Sequence, residues 1–545
     1  MTLGSQLLAA TLTTPLAMLA ACIFPQVRGF GKVLLPIAPV PALLAALLTH
    51  NGTVLTLPSA FLGLVFELDR PGALLLGAAA LLWIAAGVYA CAYRRASADD
   101  ERFVIWWLAT LTGSLGVFIV VDLPGFYLFF TIVSLSAYWL VVDDATSSAR
   151  RAGIVYVSFA LLSEAFLLLA FVLLAASGPG NSLLIRDAVT MLASSPLREP
   201  ILVLIIFGFG VKIALVPLHV WMPLTYTAAP IPVAAVLSGA AVKAGVIGLI
   251  RFLPFGVALP AWGEALAVLG LFSAFYGVAI GVTQRCPKTV LAYSSISQMG
   301  VIATVLGMGL ATGSSSVTVL AAFYALHHVL VKGGLFLGLG VIEQSRSRGL
   351  WPVLLPAAVI ALGLAGLPLT GGALAKLAVK EPLGEGLIGA FAMLSTVGST
   401  LLMLHFLRLI WQPQTRTGEE AENGAMLVVP WLAIALATFA LPWLLYTAVT
   451  NAPVFDMLAP TNLWDSAWPV VAGGLAALVL RHWERALPSI PAGDVLILGR
   501  AAAHFAEKLG AGMERIDGYL RRWPAASVAL LVIAAMLAGA MYMAP

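Results

Sequence analysis

Apolar residues in this chain come in unbroken blocks of about 20, not in the stripes of an amphipathic helix. Blocks at 5–23, 73–93, 152–176 and 523–543 are typical. A helix of that length crosses a hydrocarbon core of ~30 Å. Sixteen such helices are predicted, near 5–23, 33–49, 73–93, 103–121, 125–142, 152–176, 200–222, 230–253, 261–283, 289–311, 316–341, 351–378, 386–411, 427–449, 465–480 and 523–543. The fold class is therefore an all-α integral membrane protein of about 14–16 transmembrane helices. The short alternating segments of a membrane β-barrel are not seen. The first block lacks a basic leader and a small-residue cleavage site, so it reads as a retained helix.

Two blocks are interrupted. The seventh contains Pro217 and Pro223, and the twelfth contains Pro368, Gly371 and Gly372. Proline removes a backbone donor and clashes with the preceding turn, so both helices should be broken. Broken helices at membrane depth are tolerated where they line a cavity, and a pair of them points to an ion path. Lys212 precedes its proline and Lys376 follows its own, a mirrored order that an inverted repeat would give. Outside the blocks, residues 50–72 alternate and predict a short hairpin. Residues 494–522 read as an amphipathic segment at the cytoplasmic membrane surface, or along a neighbouring subunit.

Charge sharpens this picture. Only 10% of residues are charged and 61% are hydrophobic, where soluble domains carry about a quarter charged residues. Of the 29 Lys and Arg residues, four lie inside predicted spans, leaving 25 in loops or at helix ends. Loops after odd-numbered helices hold 20 of these and loops after even-numbered helices hold 5. The odd loops are then cytoplasmic, and both termini face the outer, periplasmic side of the inner (plasma) membrane. Cys22, Cys91 and Cys286 are far apart and suggest no disulfide, zinc site or iron–sulfur cluster. No cofactor or nucleic-acid partner is expected.

The four lysines within spans are Lys212, Lys243, Lys332 and Lys376. A charge at the bilayer centre costs ~2.5–3.5 kcal/mol on insertion scales, so four facing lipid would cost on the order of 10 kcal/mol. They are expected to face the protein interior and to join in one polar path; the bland alternative is snorkelling to an interface. A buried lysine exchanges protons more readily than an exposed one, which suits a relay. Glu164 is the clearest buried carboxylate, and it is expected to interact with Lys212 directly or through one water; alternatively it makes a neutral helix–helix hydrogen bond. His327 and His328 precede Lys332 by five and four residues, and the four-residue spacing favours His328 as its partner. His219 either joins the path or caps broken backbone. No third ligand lies near these histidines in sequence, which argues against a metal site.

The stretches KIALVPLHVWMPLTYTAAPIPVAAVLSGAAVKAGVIGLIR, KTVLAYSSISQMG and HHVLVKGGLFLGLG resemble the antiporter-like subunits of respiratory complex I, Mrp-type Na+/H+ antiporters and hydrogenase-4-type complexes. The resemblance runs from about residue 60 to about 410 and is nearest to the D-type Mrp protein or to component B of hydrogenase-4. It implies two inverted five-helix bundles, 103–253 and 261–411, flanked by N-terminal helices in 1–102 and C-terminal helices in 427–545. It also implies a proton relay through Lys212, Lys243, His328, Lys332 and Lys376, with Lys288 a basic residue at the cytoplasmic edge. One position departs from the pattern. The family's glutamate on the fifth helix is here Thr131, so Glu164 has taken over the pairing, or the first half-channel works differently or not at all.

The leading function is proton or Na+/H+ translocation as one subunit of a membrane complex. Two further readings stay open. One is a membrane subunit of an inorganic-carbon uptake complex coupled to a cation gradient. The other is a non-conducting structural anchor. The chain shows no catalytic centre of its own, and its partners would be other subunits, the bilayer, and H+ or Na+.

Overall fold

The computed structural model describes residues 2–24, 31–49, 52–58, 63–93, 100–177, 182–344, 351–411, 424–483 and 490–495. The chain divides into two compact units, Met1–Ala492 and Gly493–Pro545, and all the described helices and strands belong to the first. The predicted sixteenth helix, and all but the first two residues of the predicted amphipathic segment, lie outside the described residues.

The N-terminal helices are α1 (Leu3–Ala21), α2 (Gly31–Ile37), α3 (Val40–Leu48) and α4 (Arg70–Tyr93). Then come α5 (Asp100–Ile119), α6 (Leu123–Val141), α7 (Ser147–Ser177) and a short α8 (Ile185–Leu192) that was not anticipated. The seventh predicted span is broken into α9 (Arg198–Lys212) and α10 (Trp221–Ala228). The eighth is α11 (Ile231–Val236), a π-turn over Leu237–Ala241 and α12 (Lys243–Phe252). Next are α13 (Pro260–Gly281), α14 (Pro287–Thr312) and α15 (Val317–Gln344). The twelfth predicted span is broken into α16 (Trp351–Ala365) and α17 (Gly371–Ala378), followed by the single turn α18 (Lys380–Leu383). Finally come α19 (Leu387–Trp411), α20 (Gly424–Thr450) and α21 (Pro460–Trp483). Among the described residues, thirteen helical segments are long and apolar enough to span a bilayer, and the two broken helices are additional to them.

The hairpin expected in 50–72 is present. Val54–Thr56 (β1) pairs antiparallel with Val65–Glu67 (β2). The Asp122 carboxylate fixes it to the start of α6, accepting from Val65 N and Gly125 N at 2.7 Å each. Burial raises this carboxyl above its usual range, while the two N–H donors oppose the rise.

The prolines act unequally. α9 already ends at Lys212, before Pro217, whereas Pro223 does not interrupt a helix. It occupies the first turn of α10, where backbone N–H groups have no helical acceptor in any case. At the second break, Gly366 and Leu369 adopt positive φ of 93° and 65° on either side of Pro368. Leu367 N bonds back to Leu362 O and Gly366 N to Gly363 O, closing the end of α16.

Arg251 ties three segments together at one end of the bundle. It donates to Val117 O, Phe118 O and Val120 O at the end of α5 and pairs with Asp69 at 3.0 Å, just before α4. A cation at the carbonyl end of a helix is electrostatically favourable.

α13 packs closely along α14. Gly263, Gly270 and Gly277 recur every seven residues on α13, opposite Gly300 and Gly307 on α14. A Cβ on Gly270 would lie 2.6 Å from Thr304 Oγ1 and 2.7 Å from Thr304 N. Without an exclusion of water to drive helices together in lipid, such small-residue seams supply the packing. Gly270→Val should cost ~1–3 kcal/mol or more, because backbone blocks the new side chain. The check is the apparent Tm in detergent, and an unchanged value would count against the seam.

Candidate proton-relay site

The first half of the site is built on the end of α9. Lys212 is its last residue and is buried. Its Nζ donates to Ser134 Oγ on α6 at 2.7 Å and stands 5.0 Å from the centre of the Phe130 ring. Beyond Lys212 the chain leaves the helix through Ala214, whose φ is 59°. The polar groups exposed by the break are taken up locally. Trp221 Nε1 donates to Val211 O at 2.8 Å, and Val216 N donates to Ser273 Oγ at 3.0 Å.

Glu164 on α7 is also buried and acts electrostatically on Lys212. Of the two expected modes, direct or through one water, the direct one is not seen: among the described residues no ion pair joins them, and the ammonium turns toward Ser134 on α6. Glu164 Oε1 and Thr131 Oγ1 are both buried without a hydrogen-bond partner. Buried polar oxygens of this kind ordinarily hold ordered water. The neighbouring Ser163 donates to Gly208 O on α9 at 2.7 Å, which fixes this part of α7 against the lysine-bearing helix.

The centre of the site depends on the π-turn. There, Val242 N bonds to Leu237 O instead of Ser238 O. Ser238 O is freed and accepts from Lys243 Nζ at 3.0 Å. The same ammonium lies 2.6 Å from His328 Nδ1 on α15. Lys332, one turn further along α15, donates to Leu291 O at 2.9 Å and to Ser294 Oγ, both on α14. Lys243, His328 and Lys332 are fully enclosed. Lys212 is linked to this centre by packing, since a Cβ on Gly245 would lie 3.0 Å from Lys212 Cβ.

The last lysine occupies the second break. Lys376 Nζ donates to Ala365 O at 2.7 Å and to Thr396 Oγ1 on α19 at 3.2 Å. Ala365 ends α16, so its carbonyl has no helical donor. A cavity of about 360 Å³ reaches from Lys376, Gln298, Tyr324 and Thr396 to Lys380 and Asp465. The last two are partly exposed and form an ion pair of 2.6 Å. Tyr324 OH donates to Gln298 Oε1 at 2.7 Å, and Gln298 Nε2 donates to Ser399 Oγ at 3.0 Å.

Among the described residues no carboxylate lies within ion-pair distance of any of the four lysines, and no group of side chains is arranged to hold a metal ion. Lys288 lies apart and donates to Ala229 O, which follows α10. His219 is buried, with its ring edge-on to Tyr276 at 5.0 Å. The hydroxyl and amide partners Ser134, Ser294, Thr396, Gln298 and Tyr324 escaped the sequence reading, because nothing in an apolar block separates a ligand serine from a packed one.

The sequence profile of the NADH:quinone oxidoreductase/Mrp antiporter transmembrane family matches residues 121–402. The chain belongs to this family. Among curated proteins it is 26% identical over 478 residues to hydrogenase-4 component B of Escherichia coli, covering 79% of this chain and 70% of that protein. It is 31% identical over 424 residues to NADH-quinone oxidoreductase subunit N of Deinococcus radiodurans, covering 72% of this chain and 84% of the relative. It is 27% identical over 409 residues to one Na(+)/H(+) antiporter subunit of Bacillus subtilis, covering 66% of this chain but only 50% of that protein. Its fold matches a chain of the Mrp complex from Dietzia sp. with a TM-score of 0.80 at 21% identity, covering 99% of this chain and 63% of the other. A chain of an archaeal membrane-bound sulfane sulfur reductase matches with a TM-score of 0.68 at 19% identity. The multi-pass membrane architecture and the antiporter-like family expected from the sequence are thus established.

The Lys212–Ser134 contact leads to a stability test. Ser134→Ala removes a hydrogen bond to a charged group, worth ~1.5–3 kcal/mol. A lower apparent Tm than wild type in detergent is expected, and no change would show that Ser134 does not hold the ammonium.

Proposed function

We propose that this protein is a proton-translocating subunit of a multisubunit membrane complex, and that protons pass through Lys212, Lys243, His328, Lys332 and Lys376. The observation that carries the reading is the set of four lysines within the spans, three buried and Lys376 half-buried beside a cavity, each held by carbonyls or hydroxyls and three of them at a helix break or the π-turn. Weak neutral partners leave each amine free to lose its proton, where a carboxylate contact would hold the charge. Related proteins are subunits of hydrogenase-4, NADH-quinone oxidoreductase and Na(+)/H(+) antiporters, which fits a role inside a larger assembly. We further assign the chain to two inverted five-helix bundles, 103–253 and 261–411, with both termini outside the cytoplasm of a plasma membrane.

In this reading a proton arriving at one amine raises the charge in the centre and favours release from the next. His328 suits the junction because its two nitrogens can accept on one side and donate on the other. Glu164 serves as the counter-charge that stabilises protonated Lys212 across an intervening water, the part Thr131 cannot play.

Lys212→Ala is expected to reduce proton transport in vesicles at least tenfold without loss of assembly; full transport would sink the reading. Glu164→Gln should also impair transport. Adding Thr131→Glu should restore it in part, and an inactive double variant alongside a normal Glu164→Gln would remove Glu164 from the path.

Access to Lys376 is assigned to the cavity ending at Lys380 and Asp465, on the outer side by the distribution of basic loops. With Cys22, Cys91 and Cys286 replaced by serine, Thr396→Cys should react with a small cationic thiol reagent added from outside. Reaction only from the cytoplasmic side would reverse the orientation.

A further inference from the structure

We propose that His327 is a further relay residue, joining the Lys243–His328–Lys332 centre to Lys376 at the second helix break. The inference rests on the relay reading above. It adds a residue that its chemistry does not yet use.

Neighbouring residues on a helix point about 100° apart. His328 is turned to Lys243, so its neighbour looks along a different line. The ring of His327 lies against the start of α17. A Cβ on Gly371 would be 3.2 Å from its Cδ2, and a Cβ on Gly372 would be 3.0 Å from its Cε1. Two successive glycines therefore let an imidazole rest on the backbone where the helix restarts. Gly372 and Lys376 are four residues apart, on one face of α17. The Lys376 ammonium folds back into the same break: a Cβ on Gly366 would lie 3.1 Å from its Nζ. The His327 ring and the Lys376 ammonium thus border one break, from α15 and α17 respectively.

His327 is buried, only 3% exposed, so a titratable ring here sits inside the bundle and not at its surface. Electrostatic coupling runs from His327 to Lys376 on one side and to His328 on the other. His328 in turn is coupled to Lys243 and Lys332.

The step moves one proton and no other bond. Neutral His327 accepts a proton from protonated His328, directly or through water, on one ring nitrogen. It releases the proton of its other nitrogen to the neutral amine of Lys376, which becomes an ammonium. A ring flip restores the starting tautomer.

The test uses the assembled complex in vesicles with three substitutions. His327→Gln keeps polarity but cannot titrate, His327→Phe keeps the ring shape, and His327→Glu restores a titratable group. Transport should fall at least tenfold in the Gln and Phe variants at normal assembly, and Glu should retain clearly more than Gln. Should Gln fail to assemble, His327→Asn takes its place. Transport within twofold of wild type in the Gln or Asn variant overturns the proposal. So does equal loss in Gln, Phe and Glu, which would mark a packing role. Lys212→Ala and Lys376→Ala run alongside: if both conduct normally, the relay reading itself fails, whereas loss in these with normal His327→Gln removes His327 alone.

Discussion

The structure depends on one constraint: inside the hydrocarbon layer, polar groups must find partners within the protein. Four ammonium groups and two interrupted helices would each be costly alone. Together they relieve one another. Lys376 takes the orphan carbonyl of Ala365, Lys243 takes the Ser238 carbonyl freed by the π-turn, and Lys332 takes Leu291 O on a neighbouring helix. Only Lys212 relies on a side chain alone, Ser134. The backbone irregularities and the buried charges are therefore parts of the same device.

In the proposed relay, conduction and stability need not conflict. A buried carboxylate–lysine pair is strongly destabilised by removal of either partner, which fixes both charges. A carbonyl or hydroxyl partner tolerates either protonation state of the amine. The surrounding frame is closely packed by contrast, with the glycine seam of α13 and α14 and the Arg251 clamp on α4 and α5 holding the helices around these amines.

The two breaks differ in their exposure to water. Lys376 borders a cavity that leads to the half-exposed Lys380–Asp465 pair, whereas Lys212 is closed in by Ser134 and the Phe130 ring. Glu164 and Thr131 keep unpartnered oxygens near the first break. The polar demand there is left open to water, which a lysine with only a hydroxyl partner would need in order to exchange a proton.

Hydropathy and turn residues along the chain were enough for the membrane class, the positions of the fifteen predicted helices that fall among the described residues, both interruptions and the hairpin. These are properties of local hydropathy and backbone chemistry, which lipid enforces segment by segment. The sequence also marked the four lysines, since a charge within an apolar block has no inexpensive place in lipid. What those charges touch depends on how the helices pack. That Lys212 meets Ser134, that Ser238 O is free for Lys243, and that His328 meets Lys243 while His327 lies against the start of α17 are matters of helix rotation and of one shifted hydrogen bond. Helix rotation is set by packing against neighbours far away in sequence. An almost uniformly apolar span carries little record of which face is which.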